Sequence, residues 1–186
     1  MKLAVTDACI FIDLIELRLT SEFFKLPIEI HTSLDVYNEL YPEQKEILKA
    51  YGSVGKLTIH NLTPWDKTEI QKIQFPKSLS DNDKTVIYLA EKMKATVISS
   101  DKAVRNFAKS KAIEYHGMLW IFDRVVEFGL IDPLVAIEKL QSLFSRNVIY
   151  LNNVLLISEL NKRVCVNGVS NIGFHVYDSV QIFTIH

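Results

Sequence analysis

The sequence predicts an α/β fold, with three layers, α/β/α, around a central and mainly parallel sheet, followed by a strand-rich C-terminal extension. Three observations predict it. Short β-branched runs alternate with helical stretches through residues 3–144, and strands joined through helices pair in parallel with helices on both faces. Of the 186 residues, 48% are hydrophobic and 23% are charged, a composition that fills a core and argues against disorder. Residues 164–186 break the alternation: they are rich in Val, Ile and Phe, and Asp178 is their only formally charged side chain. The chain divides into an α/β domain over 1–160 and an extension over 161–186.

Taken in order, residues 3–6 form a short buried strand that Asp7 ends. Residues 8–17 are apolar on nearly every side and form a buried helix. Pro27 and the run 28–32 make a second strand, and 33–40 a helix, with Pro42 breaking the chain after it. A short helix covers 44–51 and stops near Gly52, and a strand covers 56–61. Thr63-Pro64 opens the next helix, proline being suited to its first position. The amphipathic helix 78–94 groups Val86, Ala90 and Met93 beside Ile87 and Leu89. A strand over 95–99, a helix over 101–109 with Val104, Phe107 and Ala108 inward, and a short strand over 113–115 follow. Helices over 117–128 and 133–144 are split by Gly129. In the tail, Asn167-Gly168 suits a hairpin turn, and so apolar a segment is expected to pack on its own domain or on a second copy.

Composition also excludes. The formal net charge is -1, so nucleic acid is not drawn in by bulk charge and any such binding needs a local basic patch. Two cysteines, Cys9 and Cys165, with no CxxC, offer neither a zinc site nor a disulfide framework and fit a reducing cytoplasm. Asp7, Asp13 and Glu16 interrupt the apolar N-terminus, which is therefore not a signal peptide. No apolar stretch is long enough to span a membrane. The few glycines form no GxGxxG and no P-loop.

Sites in open α/β sheets lie outside the carboxyl ends of the strands. Four acids fall there. Asp7 follows the first strand, Asp101 follows the strand 95–99, Asp83 lies in the first turn of the helix leading into that strand, and Glu39 lies one helix after the second strand. Carboxylates are the ligands of a hard divalent cation, and the five scattered histidines do not compete for it. Each acid also has a plainer reading. Asp7 suits a helix cap, Ser80 and Asp83 suit a capping box, and Asp101 suits a helix N-terminus after the caps Ser99 and Ser100. Glu39, near a helix C-terminus, is not explained by capping. Asp13 and Asp81 read as surface acids.

Together these segments resemble a family. VTDACIFIDL resembles the opening strand and first acid of PIN domains. The run from Thr32 through Val36 to Glu39 and Leu40 resembles their helix with the second acid. Leu79-Ser80-Asp81-Asn82-Asp83, continuing to Leu89-Ala90, resembles their L-S-x-x-D-x-x-x-I-x-L-A element. Val97-Ile98-Ser99-Ser100-Asp101 resembles their strand, [ST]-x-D and following helix, and Tyr115-His116-Gly117 resembles the glycine-containing segment of prokaryotic VapC-like toxins. Four motifs in order are more specific than any one. Asp81 and Asp83 both occupy the third-acid region, and nothing after Leu160 resembles the family.

The resemblance implies an Mg²⁺- or Mn²⁺-dependent endoribonuclease with one or two ions on Asp7, Glu39, Asp83 and Asp101, yielding a 5′-phosphate and a 3′-hydroxyl. It also implies the toxin half of a toxin–antitoxin pair, with an antitoxin partner and a possible homodimer. Ser99 is placed to support a ligand or water from behind, or to cap a helix. Lys84, Lys102 and Arg105, near the acid-bearing helix starts, are the candidate phosphate contacts; the other lysines of 92–111 read as a solvated face. Tyr37, Tyr88 and Trp120 sit at helix-like core spacing and read as packing. The alternative is a PIN-fold module that binds RNA or a protein without catalysis. A phosphorylated receiver domain is a third reading, weakened because Val5-Thr6-Asp7-Ala8 offers one acid where that fold needs a pair.

Overall fold

The computed structural model describes residues 2–146. In chain order these form β1 (Lys2–Thr6), α1 (Ala8–Glu16), α2 (Thr20–Phe23), β2 (Ile28–Ser33), α3 (Leu34–Glu39), α4 (Pro42–Ser53), β3 (Leu57–His60), α5 (Pro64–Lys72), α6 (Asp81–Met93), β4 (Thr96–Ile98), α7 (Lys102–Ser110), β5 (Tyr115–His116), α8 (Met118–Glu127) and α9 (Pro133–Arg146). The strand-rich extension expected over 161–186, with its turn at Asn167-Gly168, lies outside the described residues. The sheet and its surrounding helices belong to the unit Met1–Asp132; α9 is the described part of a second unit that begins at Pro133.

All five strands run parallel in the order β3-β2-β1-β4-β5. The register pairs Val5 with His31 and with Val97, and Ser33 with His60. Parallel neighbours need crossover connections, and the helices between the strands supply them; α6 packs against β1, β2 and β4, and α3 against β2 and α6. Strands sandwiched this way are buried on both sides and read as continuous apolar runs; Ala4, Val5, Val97 and Ile98 are almost fully enclosed. From β1 the chain steps first toward β2, and later comes back to β4 on the other side. That reversal is a topological switch point between the carboxyl ends of β1 and β4, the place where open α/β sheets bind their ligands.

Four details differ from the sequence expectation. Pro42 opens α4 at its first position, where a missing N–H costs nothing, and α4 continues through Gly52 to Ser53. The four-residue α2, expected as neither helix nor strand, fills the turn before β2. β5 is only Tyr115–His116, displaced from 113–115. Asp13, expected at the surface, is 2% exposed: it falls on the enclosed side of α1 with Ile10, Phe11 and Leu14. Among the described residues, no helix is long and apolar enough to cross a membrane.

Candidate active site

Asp7 follows β1 at this switch point. It is the N-cap of α1, with Oδ1 accepting from the Ile10 amide at 3.2 Å and from the Cys9 thiol at 2.9 Å. Its own amide donates across to the Ile98 carbonyl of β4. The residue is 4% exposed. Burial pushes its carboxyl up to about 6; hydrogen bonds from Cys9, Ser99 and Ile10 pull the other way without prevailing, and the charge of Asp83 adds to the rise. No cation is among its partners. Burial, and then the Asp7 charge, push the Cys9 thiol well above its usual value, and Asp13 contributes to the same rise.

Ser99 joins the two strands' acids. It is fully buried, its hydroxyl bonds the Asp7 carboxylate, and Oγ accepts from the Asp101 amide at 3.0 Å. Asp101 is itself the N-cap of α7, Oδ1 accepting from Ala103 and Val104, so Ser99 and Ser100 do not take that position. Asp83 forms a capping box with Ser80 at the start of α6, Oδ2 accepting from the Ser80 amide and hydroxyl at 2.8 Å each. The plain capping contacts are therefore all present. Among the described residues, Asp83 Oδ1 and Asp101 Oδ2 nevertheless take no hydrogen bond.

Glu39 is the last residue of α3 and is exposed. Ser33 caps α3 through the Val36 amide at 3.0 Å and is tied to Thr85 of α6 at 2.7 Å. Glu39 makes no hydrogen bond or ion pair with the other three acids. Among the described residues, no three of His, Cys, Asp and Glu close around one point that would hold a metal ion. The structure thus links Asp7, Asp83 and Asp101 as neighbours, and leaves Glu39 outside that group.

An oxygen-only donor set suits a hard divalent cation. The fit rests on Asp7, a carboxylate enclosed with no cation among its described partners, and on Asp83 and Asp101, whose capping contacts each engage one carboxylate oxygen.

The basic candidates differ in their freedom. Lys84 is paired with Asp81 at 2.7 Å. Arg105 donates Nη1 to the Ser99 carbonyl at 2.8 Å, bracing the end of β4. Lys102 is exposed at the first position of α7 and makes no ion pair among the described residues. Lys92, expected on a solvated face, instead binds the buried Asp66 at 2.7 Å. Asp66 also accepts from Tyr88 at 2.6 Å and from the Thr63 amide and hydroxyl. Lys92, then Tyr88 and Thr63, hold the Asp66 carboxyl well below the usual carboxylate range, and burial with Asp66 pushes the Tyr88 hydroxyl up to about 12. Cys9 and Asp66 were not singled out from sequence. Proximity to Asp7 points to Cys9, two residues on in the first turn of α1; nothing local points to Lys92, which is far from Asp66 along the chain.

A doubly wound parallel sheet with acids at its switch point defines an α/β domain built for chemistry at the carboxyl edge. Comparison with known families then specifies it: the family model described as PIN domain (DUF3368) matches residues 3–162. The chain belongs to the PIN-domain family, a nuclease-type fold. Among solved structures it is similar to a PilT N-terminus domain protein, SSO1118, from the hyperthermophilic archaeon Sulfolobus solfataricus P2, with 16% identity and a TM-score of 0.45 over 67% of this chain and 94% of that one. No curated protein matches the chain significantly.

Proposed function

We propose that this chain is an Mg²⁺- or Mn²⁺-dependent endoribonuclease, the toxin of a toxin–antitoxin pair acting in the cytoplasm. The observation that carries the reading is Asp7, buried at the switch point with its carboxyl raised to about 6 and no cation beside it. Evolving such a group for stability alone is uneconomical, since an enclosed charge without a partner costs free energy. Strongly perturbed acids in a crevice mark functional sites.

Asp7, Asp83, Asp101 and, after movement of the exposed end of α3, Glu39 would hold one or two ions. When bound, Mg²⁺ or Mn²⁺ supplies Lewis-acid activation of water and neutralises charge on the phosphate. Ser99 fixes the Asp7 carboxylate and the Asp101 amide with one hydroxyl, so the two strand ends keep their relative position. Arg105 braces Ser99 from its carbonyl side and, with Lys102 and Lys84, meets backbone phosphates. The substrate is RNA, and a small antitoxin and a second copy of the chain are the expected protein partners.

A second reading is a PIN-fold module that binds RNA or protein without cutting. The exposed Glu39 and the lack of a closed trio of ligands favour it. Incubation with RNA in Mn²⁺ separates the two. Cleavage that stops with EDTA and is lost in Asp101→Asn supports the nuclease; retained RNA binding with no metal-dependent cleavage by the wild type supports the module.

A further inference from the structure

Trp120 was expected in the core, yet the buried face of α8 is Met118, Ile121, Phe122 and Val125. Trp120 lies off that face. Its indole stacks on the His116 imidazole with centroids 4.4 Å apart and planes 4° from parallel. One turn further along, the Arg124 guanidinium lies over the same indole at 5.9 Å. His116, Trp120 and Arg124 thus make a ladder of planar groups at i, i+4 and i+8, with the side chains of His116 and Arg124 23% and 38% exposed.

The ladder begins at the carboxyl edge of the sheet. The His116 carbonyl accepts from the Ser99 amide at 3.0 Å, and Ser99 is the residue that bonds Asp7. β5 is two strands from β1, so the ladder stands roughly 10 Å to the side of the Asp7 strand. Gly117 follows His116 and puts no side chain beside Arg105; a Cβ there would lie 3.6 Å from Arg105 Nη1. Glu114 holds the imidazole through Nε2 at 3.0 Å, and Lys2 and Thr96 in turn hold Glu114. The ring is oriented, and the carboxylate that orients it is matched by a lysine.

We propose that His116, Trp120 and Arg124 form a stacking platform for a nucleobase of single-stranded RNA, next to the nucleotide whose phosphate enters the acidic site. The proposal rests on the reading that the chain handles RNA. Stacking on aromatic and guanidinium planes recognises unpaired bases with little regard to sequence, and the Arg124 charge reinforces the ring it covers. A duplex does not present such a face, so the platform selects single strands.

The test uses two labelled probes, a short single-stranded oligoribonucleotide and the same backbone made abasic, in fluorescence anisotropy without added metal. For the base-bearing probe, Trp120→Leu weakens binding between about five- and a hundredfold, while Trp120→Phe keeps most of the affinity. For the abasic probe, the wild type and both variants bind alike. Equal losses on both probes, no loss on the base-bearing probe, or a wild type that binds neither, would overturn the platform. Cleavage in Mn²⁺ keeps the two ideas apart. A wild type that cuts RNA, with Trp120 variants unchanged in KM and kcat, ends the platform and leaves the nuclease. A wild type that discriminates the probes but never cuts ends the nuclease and leaves the platform.

Discussion

Asp7 and Asp66 are each 4% exposed and each contributes to the start of a helix. There the likeness ends. Asp66 lies shallow under the residues that bond it, Lys92, Tyr88 and Thr63, and is held below the ordinary carboxylate range. Asp7 receives a thiol, a hydroxyl and an amide but no positive charge, and is raised to about 6. Equal exposure at the surface therefore goes with opposite electrostatics, because Asp7 lies deep and Asp66 does not. Depth without a cation makes Asp7 an acid that the fold tolerates, and shallow burial beside Lys92 makes Asp66 one that stabilises it.

The largest effect expected from this contrast is on catalysis. Asp7→Asn, Asp83→Asn and Asp101→Asn are each expected to lower Mn²⁺-dependent RNA cleavage by at least about a hundredfold, more than loss of an outer supporting group. Asp66→Asn, assayed well below its melting point, should keep wild-type kcat. Glu39→Gln belongs with the first group if the end of α3 moves in to complete the site; full activity in that variant would remove Glu39 from it.

Next comes stability at neutral pH without metal. A rise of about two units in the Asp7 carboxyl corresponds to about 3 kcal/mol against the folded state once the group is ionised. Because the folded value is raised, the folded protein binds the proton more tightly, and stability falls as pH climbs from about 4 through about 6. Asp7→Asn removes the charge and keeps a capping side chain. It should melt roughly 6–12 °C above wild type near pH 8 and show no advantage near pH 4. A wild-type melting temperature that is flat between those values would show that Asp7 is not strained.

Asp66 has the opposite sign. Its folded value is depressed, so its contribution is present above the unfolded value of 3.8 and is lost as pH falls below it. Asp66→Asn should cost about 2–3 kcal/mol at neutral pH, the scale of hydrogen bonds to a charged group, with the loss shrinking in acid. Denaturant titrations at two pH values check both signs in one experiment.

The smallest effect is expected at Asp81, whose side chain is almost fully exposed and paired with Lys84. Asp81→Asn should leave the melting temperature close to that of the wild type, since an exposed ion pair contributes little, and leave cleavage intact. Loss of cleavage in Asp81→Asn together with full activity in Asp83→Asn would mean that the third acid had been taken one position pair too late.

The parallel sheet and the placement of Asp7, Asp83 and Asp101 were legible because both depend on local pattern. Apolar runs buried on two faces mark the strands, and the acid after a strand marks its carboxyl end. What depended on tertiary contact was not legible. Asp66 closes a capping box with Thr63, and nothing local to it shows that Lys92 reaches it from α6. His31 and His60 look scattered in sequence, yet their ring nitrogens meet at 3.0 Å across neighbouring strands. Trp120 has the spacing of a core residue, and only the packing of α8 shows which stripe faces inward. Asp13 looks wet because it is charged, although it lies on the buried side of α1 beside Ile10 and Leu14.

Thermal melting with and without Mn²⁺, on wild type, Asp7→Asn and Asp66→Asn side by side, tests most directly whether the acids share a cation. At a free Mn²⁺ concentration about ten times the dissociation constant, binding stabilises by about 1.4 kcal/mol, a rise of roughly 3–6 °C for a chain of this length. The account predicts that rise in the wild type and in Asp66→Asn, which starts from a lower baseline, and its near disappearance in Asp7→Asn. The same rise in Asp7→Asn as in the wild type would contradict it, and would leave the acids of the switch point as separate helix caps.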